Sequence, residues 1–580
     1  MGHPLFRTKN IDKILRDAET MADDPHAGAG LKRVLTMRDL TFFGIAAIIG
    51  AGSFSSLGLA VFSGGPGVVV LFIICGIACG FTALCYSEFA SRIPVAGSAY
   101  TYAYASFGEL FAWIIGWALI MEYSIGNIYV AFSWSDYFTS FLHRINIHIP
   151  DYLTCSYMEA HGAVTAAAAN ASAQITNSTQ ELLNAWNHAP MIGGLRIIFD
   201  LPALIINLCI TALVYRGVKE SRNFSNAMVM LKLAIVFLVI IVGGYLIFHS
   251  GDTQNWHPVN QAGVRSFMPN GFSGVMAAVS GVFFAYIGFD AVSVLAEESK
   301  NPQRDLPRGM ILSLVICTVI YIVLALVLTG AVVYSKFENV GDPLAFIFEP
   351  QNLNVGWMQM LVSICAVVAM TSVLLVFQMG QPRIWMSMSR DGLLPSVFEK
   401  IHPKYQTPSF STILTGLIVG IPILFTDKTF VLDFTSIATL FAFVLVCGGV
   451  LLIPKREKLP GKFNMPFISS KFLFPSIVIA SIVFAHVMSK NYFSNLFIIT
   501  EDNASFNIST IIFWNVMIIL SVVTFIKNWS LIPLLGLSTC LYLLTGMTGN
   551  NWAWFGSWLF LGLIIYFSYG YRKSKLTVTT

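Results

Sequence analysis

Runs of about 20 apolar residues follow one another along almost the whole of this 580-residue chain. A helix rises about 1.5 Å per residue, so such a run matches the roughly 30 Å hydrocarbon core of a bilayer. Hydrophobic residues make up 56% of the chain and charged residues only 11%, a balance that excludes an ordinary soluble domain. The sequence therefore predicts an all-α polytopic membrane protein.

Glycine, proline and charge clusters divide these runs into fourteen predicted spans. The spans lie at about residues 41–62, 66–91, 108–140, 197–215, 224–248, 272–296, 309–334, 356–389, 409–426, 430–453, 472–489, 509–527, 530–547 and 552–571. With the N-terminus inside, 27 of the 34 Lys and Arg residues fall in inner segments, and the outer segments hold only Arg144, Arg196, Arg265, Lys336, Lys428 and Lys490. Because these residues concentrate in cytoplasmic loops, both termini are expected in the cytoplasm.

Two of the apolar runs carry residues that a simple lipid-facing helix would not need. The run from Gly44 to Phe54 contains the glycines Gly44, Gly50 and Gly52, and the later run from Phe283 to Asp290 contains Gly288 followed by a carboxylate. Paired interruptions of this kind are typical of transporters with internal repeats. The alternative is close helix packing through small residues.

A broken helix in a membrane exposes backbone groups that must find partners. An opening at Gly50, Ala51 and Gly52 would expose amides where the second half begins and carbonyls where the first half ends. The amide end favours an anion and the carbonyl end favours a cation. A carboxylate and an ammonium together describe the backbone of an amino acid, so an amino acid is the predicted substrate.

Several motifs then make the sequence recognisable. They are Gly44 to Phe54, Glu88 to Tyr100, Trp113 to Trp117, Phe284 to Asp290, Glu297 to Pro307 and Ser389 to Pro395. In this order they resemble the amino acid-polyamine-organocation (APC) superfamily, and within it the cationic amino acid transporter family. Ala46 and Ser53 depart from that family's usual glycine and isoleucine in the first motif.

The resemblance implies a 5+5 inverted-repeat transporter fold of the LeuT/APC type with about four extra C-terminal helices. A cytoplasmic segment at 1–40 would precede the repeats at 41–250 and 270–455. The four C-terminal helices would occupy 470–572, and a cytoplasmic tail 573–580.

The same resemblance assigns roles to residues of the two breaks. The substrate carboxylate would meet the amides of Ala51, Gly52 and Ser53, and its ammonium the carbonyls of Ile48, Phe284 and Ile287. Phe284 and Tyr286 would gate the site, although Tyr286 could equally be ordinary aromatic packing. The expected hinge and structural positions are Gly44, Gly50, Gly288 and Asp290.

Lys232 lies within the fifth predicted span, where a charged side chain costs roughly 2.5 to 3.5 kcal/mol at mid-membrane. In proton-coupled members of the superfamily a lysine on this span takes the place of a metal cation. The resemblance thus predicts that Lys232 binds carbonyls of the first broken helix near Gly44 and releases them on deprotonation. The alternative is a lysine that snorkels to the membrane surface.

Each of two acidic residues within predicted spans has two possible roles. Glu122 on the third span is interpreted either as a proton relay or as a polar partner in the core. Asp290 follows the second break and either caps the next half-helix or transfers protons, with capping the preferred reading.

Substrate choice depends on the pocket side chains. Cationic members carry a small residue where this chain has Phe377, and together with Ser53 this favours a neutral over a cationic L-amino acid. The predicted function is therefore proton-coupled symport by alternating access. A proton-independent exchanger and a non-transporting amino acid sensor are the alternatives.

The remaining expectations concern partners and location. No metal-ligand spacing such as HExxH is present, so we expect neither an enzyme nor a bound metal or cofactor. The basic loops are topology signals and do not indicate nucleic acid. We expect a multi-pass protein of the plasma membrane, embedded in lipid and monomeric.

Overall fold

A computed structural model describes residues 7–9, 35–50, 52–93, 98–169, 177–217, 222–250, 253–260, 263–405, 407–453, 463–488, 490–500 and 504–575. Most of the predicted N-terminal segment, Ala51 and residues 576–580 lie outside these ranges. Regular structure in the described residues is helical apart from a hairpin in which Met191–Ile192 pairs antiparallel with Leu195–Arg196.

The α-helices follow in chain order, and their bounds are these. The first group is α1 Met37–Ile48, α2 Leu57–Gly64, α3 Val68–Arg92, α4 Ser98–Ser106, α5 Glu109–Arg144, α6 Tyr157–Ala169, α7 Asn177–His188, α8 Leu201–Arg216 and α9 Arg222–Ser250. The second is α10 Gly271–Ala277, α11 Val279–Phe284, α12 Pro302–Ala331, α13 Pro343–Phe346, α14 Gly356–Arg390, α15 Ser409–Ile423 and α16 Lys428–Leu452. The last is α17 Leu473–Met488, α18 Tyr492–Leu496, α19 Ala504–Lys527, α20 Leu531–Leu544, α21 Gly549–Ile565 and α22 Tyr571–Lys573.

Length and composition show a multi-pass membrane protein. Among the described residues, eight helices are long and apolar enough to cross a bilayer, or nine when the pair bent by 42° at Ala278 counts as one span. Four further apolar helices, α8, α15, α17 and α20, are shorter. The all-helical membrane fold expected from the apolar runs is confirmed, whereas the count of fourteen spans stays a prediction.

Helix α5 is a long helix that carries several residues of the candidate site. Its 36 residues extend about 54 Å at 1.5 Å per residue, enough to pass through the bilayer at a tilt. It packs along α14 and α16, while α12 packs along α1 and α3. The two interrupted segments, which begin at α1 and α10, are therefore held between long helices.

Both ends of the described chain lie at the start of α5, on what we call the terminal face. The Lys9 ammonium lies 3.2 Å from the Asp391 carboxylate. The buried Glu109 carboxylate accepts hydrogen bonds from the hydroxyls of Tyr566 at 3.0 Å and Ser574 at 2.5 Å. These contacts tie the N-terminal residues and the C-terminal tail to the same end of the helix bundle.

The opposite face carries the residues between α5 and α8 and the loop around α13. The Lys428 ammonium forms an ion pair with the Asp136 carboxylate. A Cβ atom at Gly58 would lie 3.0 Å from the Pro343 Cβ atom, so α13 lies directly on α2. The Asp342 carbonyl accepts hydrogen bonds from the amides of Ala345 at 2.9 Å and Phe346 at 3.0 Å, which begin that short helix.

The buried carboxyl group of Asp342 should make the stability of the fold depend on pH. Burial raises the pKa of its carboxyl to about 7 from an ordinary value of 3.8, and the neighbouring Glu349 and Glu181 add to the rise. The folded state then favours the neutral acid, so the free energy of unfolding falls as pH rises from about 4 to about 7. Asp342→Asn stays neutral, and we expect it to raise the melting temperature at pH 8 with little change at pH 4.

Thermal melts of purified protein at both pH values measure this effect. Asp151→Asn, on the same face, is the control and should leave the difference between the two melting temperatures as in the wild type. Equal changes at pH 4 and pH 8 for Asp342→Asn would contradict the assignment.

Candidate functional site

The first interruption of the chain lies inside the glycine run. Helix α1 ends at Ile48, Ile49 is extended with φ −78° and ψ 90°, and the chain resumes as a π-helical turn from Gly52 to Ser56. The Gly50 carbonyl accepts hydrogen bonds from the Ser53 amide at 3.1 Å and the Ser53 hydroxyl at 3.0 Å. Ala51, a predicted carboxylate partner, lies outside the described residues.

The second interruption follows α11. That helix ends at Phe284, and a turn over residues 285–288 leads into a 3-10 helix, Phe289–Glu298. Gly288 has φ +113°, a left-handed conformation that glycine adopts without a Cβ clash. The Phe284 carbonyl accepts the Ile287 amide at 3.2 Å, and the Gly288 carbonyl accepts the Ala291 amide at 3.1 Å. Asp290 lies in the first turn of the 3-10 helix, whose N-cap position is Gly288, so its role as a cap stays a prediction.

The two interruptions touch each other. A Cβ atom placed on Gly52 would lie 2.4 Å from the Ala285 Cα atom, and one on Gly288 would lie 2.9 Å from the Ala47 carbonyl oxygen. Neither position has room for a side chain without moving backbone. The glycines therefore bring the unwound parts of both segments into direct contact.

Aromatic side chains surround this junction. The Phe284 ring lies 4.6 Å from the Tyr129 ring, measured between centroids. The Tyr286 hydroxyl donates to the Phe72 carbonyl at 2.8 Å, and its ring is edge-on to that of Tyr321 at 5.7 Å. Phe284 and Tyr286 are both buried.

Lys232 lies on α9 and points at the first segment. Its ammonium donates to the Ala46 carbonyl at 3.2 Å, and only 2% of the residue is exposed. The carbonyl is two residues from Gly44, where the sequence placed it. At Gly44 itself a Cβ atom would lie 2.5 Å from the Ser313 Oγ atom, so that glycine permits α1 to approach α12.

A narrow cavity of about 40 Å³ runs past Lys232 to the junction. Phe43, Ala46, Ala47, Tyr123, Met228, Val229, Lys232, Gly288, Ala291, Ser372, Val373, Val376 and Phe377 line it. No acidic side chain is among these lining residues. One water needs about 10–15 Å³ by this measure, so the space suits about three waters, and a larger ligand requires the helices to separate.

The two acids lie together behind the cavity. Glu122 is buried, and it lies close enough to Asp290 for the two carboxyl groups to interact electrostatically. This geometry is compatible with both readings of Glu122, as relay and as structural partner.

Sequence reasoning missed other polar groups at the site. The Asn127 amide donates to the Gln378 side chain, which donates at 2.9 Å to the Thr211 hydroxyl, so that α5, α14 and α8 are linked. Tyr321 on α12 donates its hydroxyl to the Ile48 carbonyl at 2.8 Å. Single amides and tyrosines in apolar runs carry no spacing signal, which is why only the structure identifies them.

Comparison with known proteins decides the family. The family described as "Amino acid permease" matches residues 35–523, and "C-terminus of AA_permease" matches residues 530–574. The chain belongs to the amino acid permease family. The predicted resemblance to the APC superfamily and its cationic amino acid transporter branch is thereby confirmed.

Three relatives of this permease illustrate the range of named substrates. "Branched-chain amino acid permease BcaP" of Bacillus subtilis is 39% identical over 467 residues, covering 80% of this chain and 89% of the relative. "Methylthioribose transporter" of the same organism is 34% identical over 577 residues, covering 99% of both chains. "Cationic amino acid transporter 2, vacuolar" of Arabidopsis thaliana is 33% identical, covering 81% of this chain and 66% of the relative. These relatives are named as transporters, so transport is the function of the family.

Proposed function

We propose that this permease is a proton-coupled symporter of neutral L-amino acids that binds its substrate where the two interruptions meet. The observation that carries the proposal is the contact between Gly52 and Ala285, which joins an amide-bearing helix start to the carbonyl-bearing end at Phe284. This pairing matches the carboxylate and ammonium of an amino acid. The two inverted repeats at 41–250 and 270–455 would then move against each other around the site.

The lining of the cavity supports a neutral side chain. A cationic side chain buried there would need an acid or a set of acceptors, since an unpaired buried charge is costly. The described lining instead presents the aliphatic side chains Val229, Val373 and Val376 beside the ring of Phe377. The branched-chain name of one relative agrees with a substrate of this chemistry.

The buried ammonium of Lys232 supports proton coupling. When protonated it holds the Ala46 carbonyl, and when neutral it would release the first segment. Exchange without protons and substrate sensing without transport remain the alternatives that measurement must exclude.

One specific observation favours a second candidate. The match to the methylthioribose transporter extends over 99% of both chains, including the C-terminal helices. Methylthioribose is a neutral sugar with a thioether, so an apolar cavity also suits its methylthio group. We therefore include it as a competing substrate.

Uptake into proteoliposomes tests the substrate class. Radiolabelled isoleucine, leucine, methionine, arginine, lysine and methylthioribose are supplied separately under an inward proton gradient. We expect the neutral amino acids to accumulate above the level of empty liposomes and the cationic ones not to. Accumulation of methylthioribose or arginine alone would contradict the proposal.

Phe377 provides a test of specificity within this function. The Phe377→Ala variant enlarges the cavity, and we expect the apparent affinity for isoleucine to fall about tenfold because the substrate loses a packing surface. The ratio of arginine to isoleucine uptake should rise. Phe410→Ala removes a ring that is 42% exposed on α15 and is the matched control, expected to change neither. An unchanged isoleucine affinity in Phe377→Ala would remove this residue from the pocket.

A further inference from the structure

The carbonyl at the end of α1 has a protein partner. Carbonyls in the last turn of a helix have no partner further along that helix, and inside a membrane the lack of one is costly. The Ile48 carbonyl, which the family resemblance assigns to the substrate ammonium, accepts a hydrogen bond from the Tyr321 hydroxyl at 2.8 Å. Tyr321 is fully buried and comes from α12, a helix with no predicted role in the site.

Packing fixes the Tyr321 ring in this position. Its centroid lies 5.7 Å from that of Phe72 and 5.7 Å from that of Tyr286, whose own hydroxyl is engaged by the Phe72 carbonyl. Three interlocked rings leave a buried side chain little rotational freedom. The packing therefore fixes the position of the Tyr321 hydroxyl relative to the Ile48 carbonyl.

The same hydroxyl also faces the other side of the interruption. The Ser53 side chain lies near Tyr321, and its hydroxyl donates to the Gly50 carbonyl at 3.0 Å. The two hydroxyls thus donate to two carbonyls of the unwound segment, Tyr321 to Ile48 and Ser53 to Gly50.

We propose that Tyr321 is a positioning residue for substrate binding, acting through the Ile48 carbonyl; this inference rests on the proposed function. Its hydroxyl keeps the first interruption unwound and correctly spaced whether or not substrate is bound. A carbonyl oxygen has two lone pairs, so the second acceptor site on Ile48 stays available to the ammonium. The substrate then meets a preformed acceptor and does not have to open the helix itself.

The Tyr321→Phe variant removes only the hydroxyl and keeps the ring against Phe72 and Tyr286. Losing one hydrogen bond to a buried carbonyl should raise the KM for isoleucine about tenfold, with the maximal uptake rate within about twofold of wild type. Amide hydrogen exchange in peptides covering residues 44–56 should become several-fold faster in the absence of substrate.

Tyr566→Phe is the matched control. It also removes a buried tyrosine hydroxyl, which donates to Glu109 at 3.0 Å, but on the terminal face. It should lower the melting temperature about as much as Tyr321→Phe while leaving KM and exchange at 44–56 unchanged. Equal KM values for Tyr321→Phe and wild type, or an equal rise in both variants, would overturn the proposal.

A double-mutant cycle with Ser53→Ala adds a second readout. Because both hydroxyls act on the same segment, the KM change of the double variant should be smaller than the product of the single changes. If the wild-type protein takes up no amino acid, the proposed function fails, and hydrogen exchange alone then decides the role of Tyr321. Exchange at 44–56 that is the same in Tyr321→Phe and wild type would overturn it in that case.

Discussion

Gly52→Ala should reduce isoleucine uptake by roughly 100-fold or more, since displacing a binding group by about 1 Å can cost that much. The added Cβ atom would lie 2.4 Å from the Ala285 Cα atom, a backbone atom that cannot move aside alone. The two interruptions must separate, and the carboxylate and ammonium of one substrate can no longer reach both. Uptake and equilibrium binding of labelled isoleucine measure the loss.

Variants at two further glycines serve as comparisons for Gly52→Ala. Gly80→Ala in α3 is the matched control, because a Cβ atom there meets nothing within 4 Å, and it should behave as wild type. Gly50→Ala is a graded variant whose Cβ atom would meet only the Val373 side chain, at 2.9 Å, and it should lose less than Gly52→Ala. Folding of each is checked by its melting temperature. A folded Gly52→Ala protein with wild-type affinity would show that the substrate binds elsewhere.

Lys232→Met should abolish accumulation driven by a proton gradient while retaining exchange of isoleucine across the membrane. Methionine has a similar length but carries no proton, so the Ala46 carbonyl loses the donor that lies 3.2 Å away. We expect gradient-driven uptake to fall to the level of empty liposomes, and counterflow between isoleucine pools to stay within about 100-fold of wild type, since leaving a buried acceptor without its partner costs about 1–3 kcal/mol.

The control for Lys232 is Lys527, a lysine that lies at the end of a helix. Lys527 closes α19 and is exposed, so Lys527→Met should leave both assays unchanged. Proton-driven accumulation that persists in Lys232→Met would remove this lysine from the coupling mechanism. Loss of both accumulation and counterflow, with the protein still folded, would show that Lys232 serves substrate binding instead.

The features that sequence predicted are those that conflict with an apolar background. A lipid-facing helix does not need the glycines Gly50, Gly52 and Gly288, and a buried charge such as that of Lys232 is costly in a membrane. The sequence alone therefore indicates a functional role for each of them. The structure places all four around one junction. The family assignment rested on the same motifs and is confirmed by the match to residues 35–523.

Other features depend on packing between distant helices and left no pattern in the sequence. The break near Gly288 in the sixth predicted span, 272–296, is expected from the sequence, but the bend of 42° at Ala278 in the same span is not. Tyr321 is the single aromatic residue of the apolar helix α12, which gives no spacing pattern, and its hydroxyl matters because Ile48 ends α1 opposite it. Gln378 likewise gains its partners only when α5, α8 and α14 are assembled.

The most direct measurement of the central claim records the pH inside proteoliposomes loaded with a pH-sensitive dye while isoleucine is added outside. The proposed symport predicts acidification of the lumen that requires the protein, saturates with isoleucine and disappears in Lys232→Met. Isoleucine uptake without acidification, at a rate unaffected by collapsing the proton gradient, would contradict it.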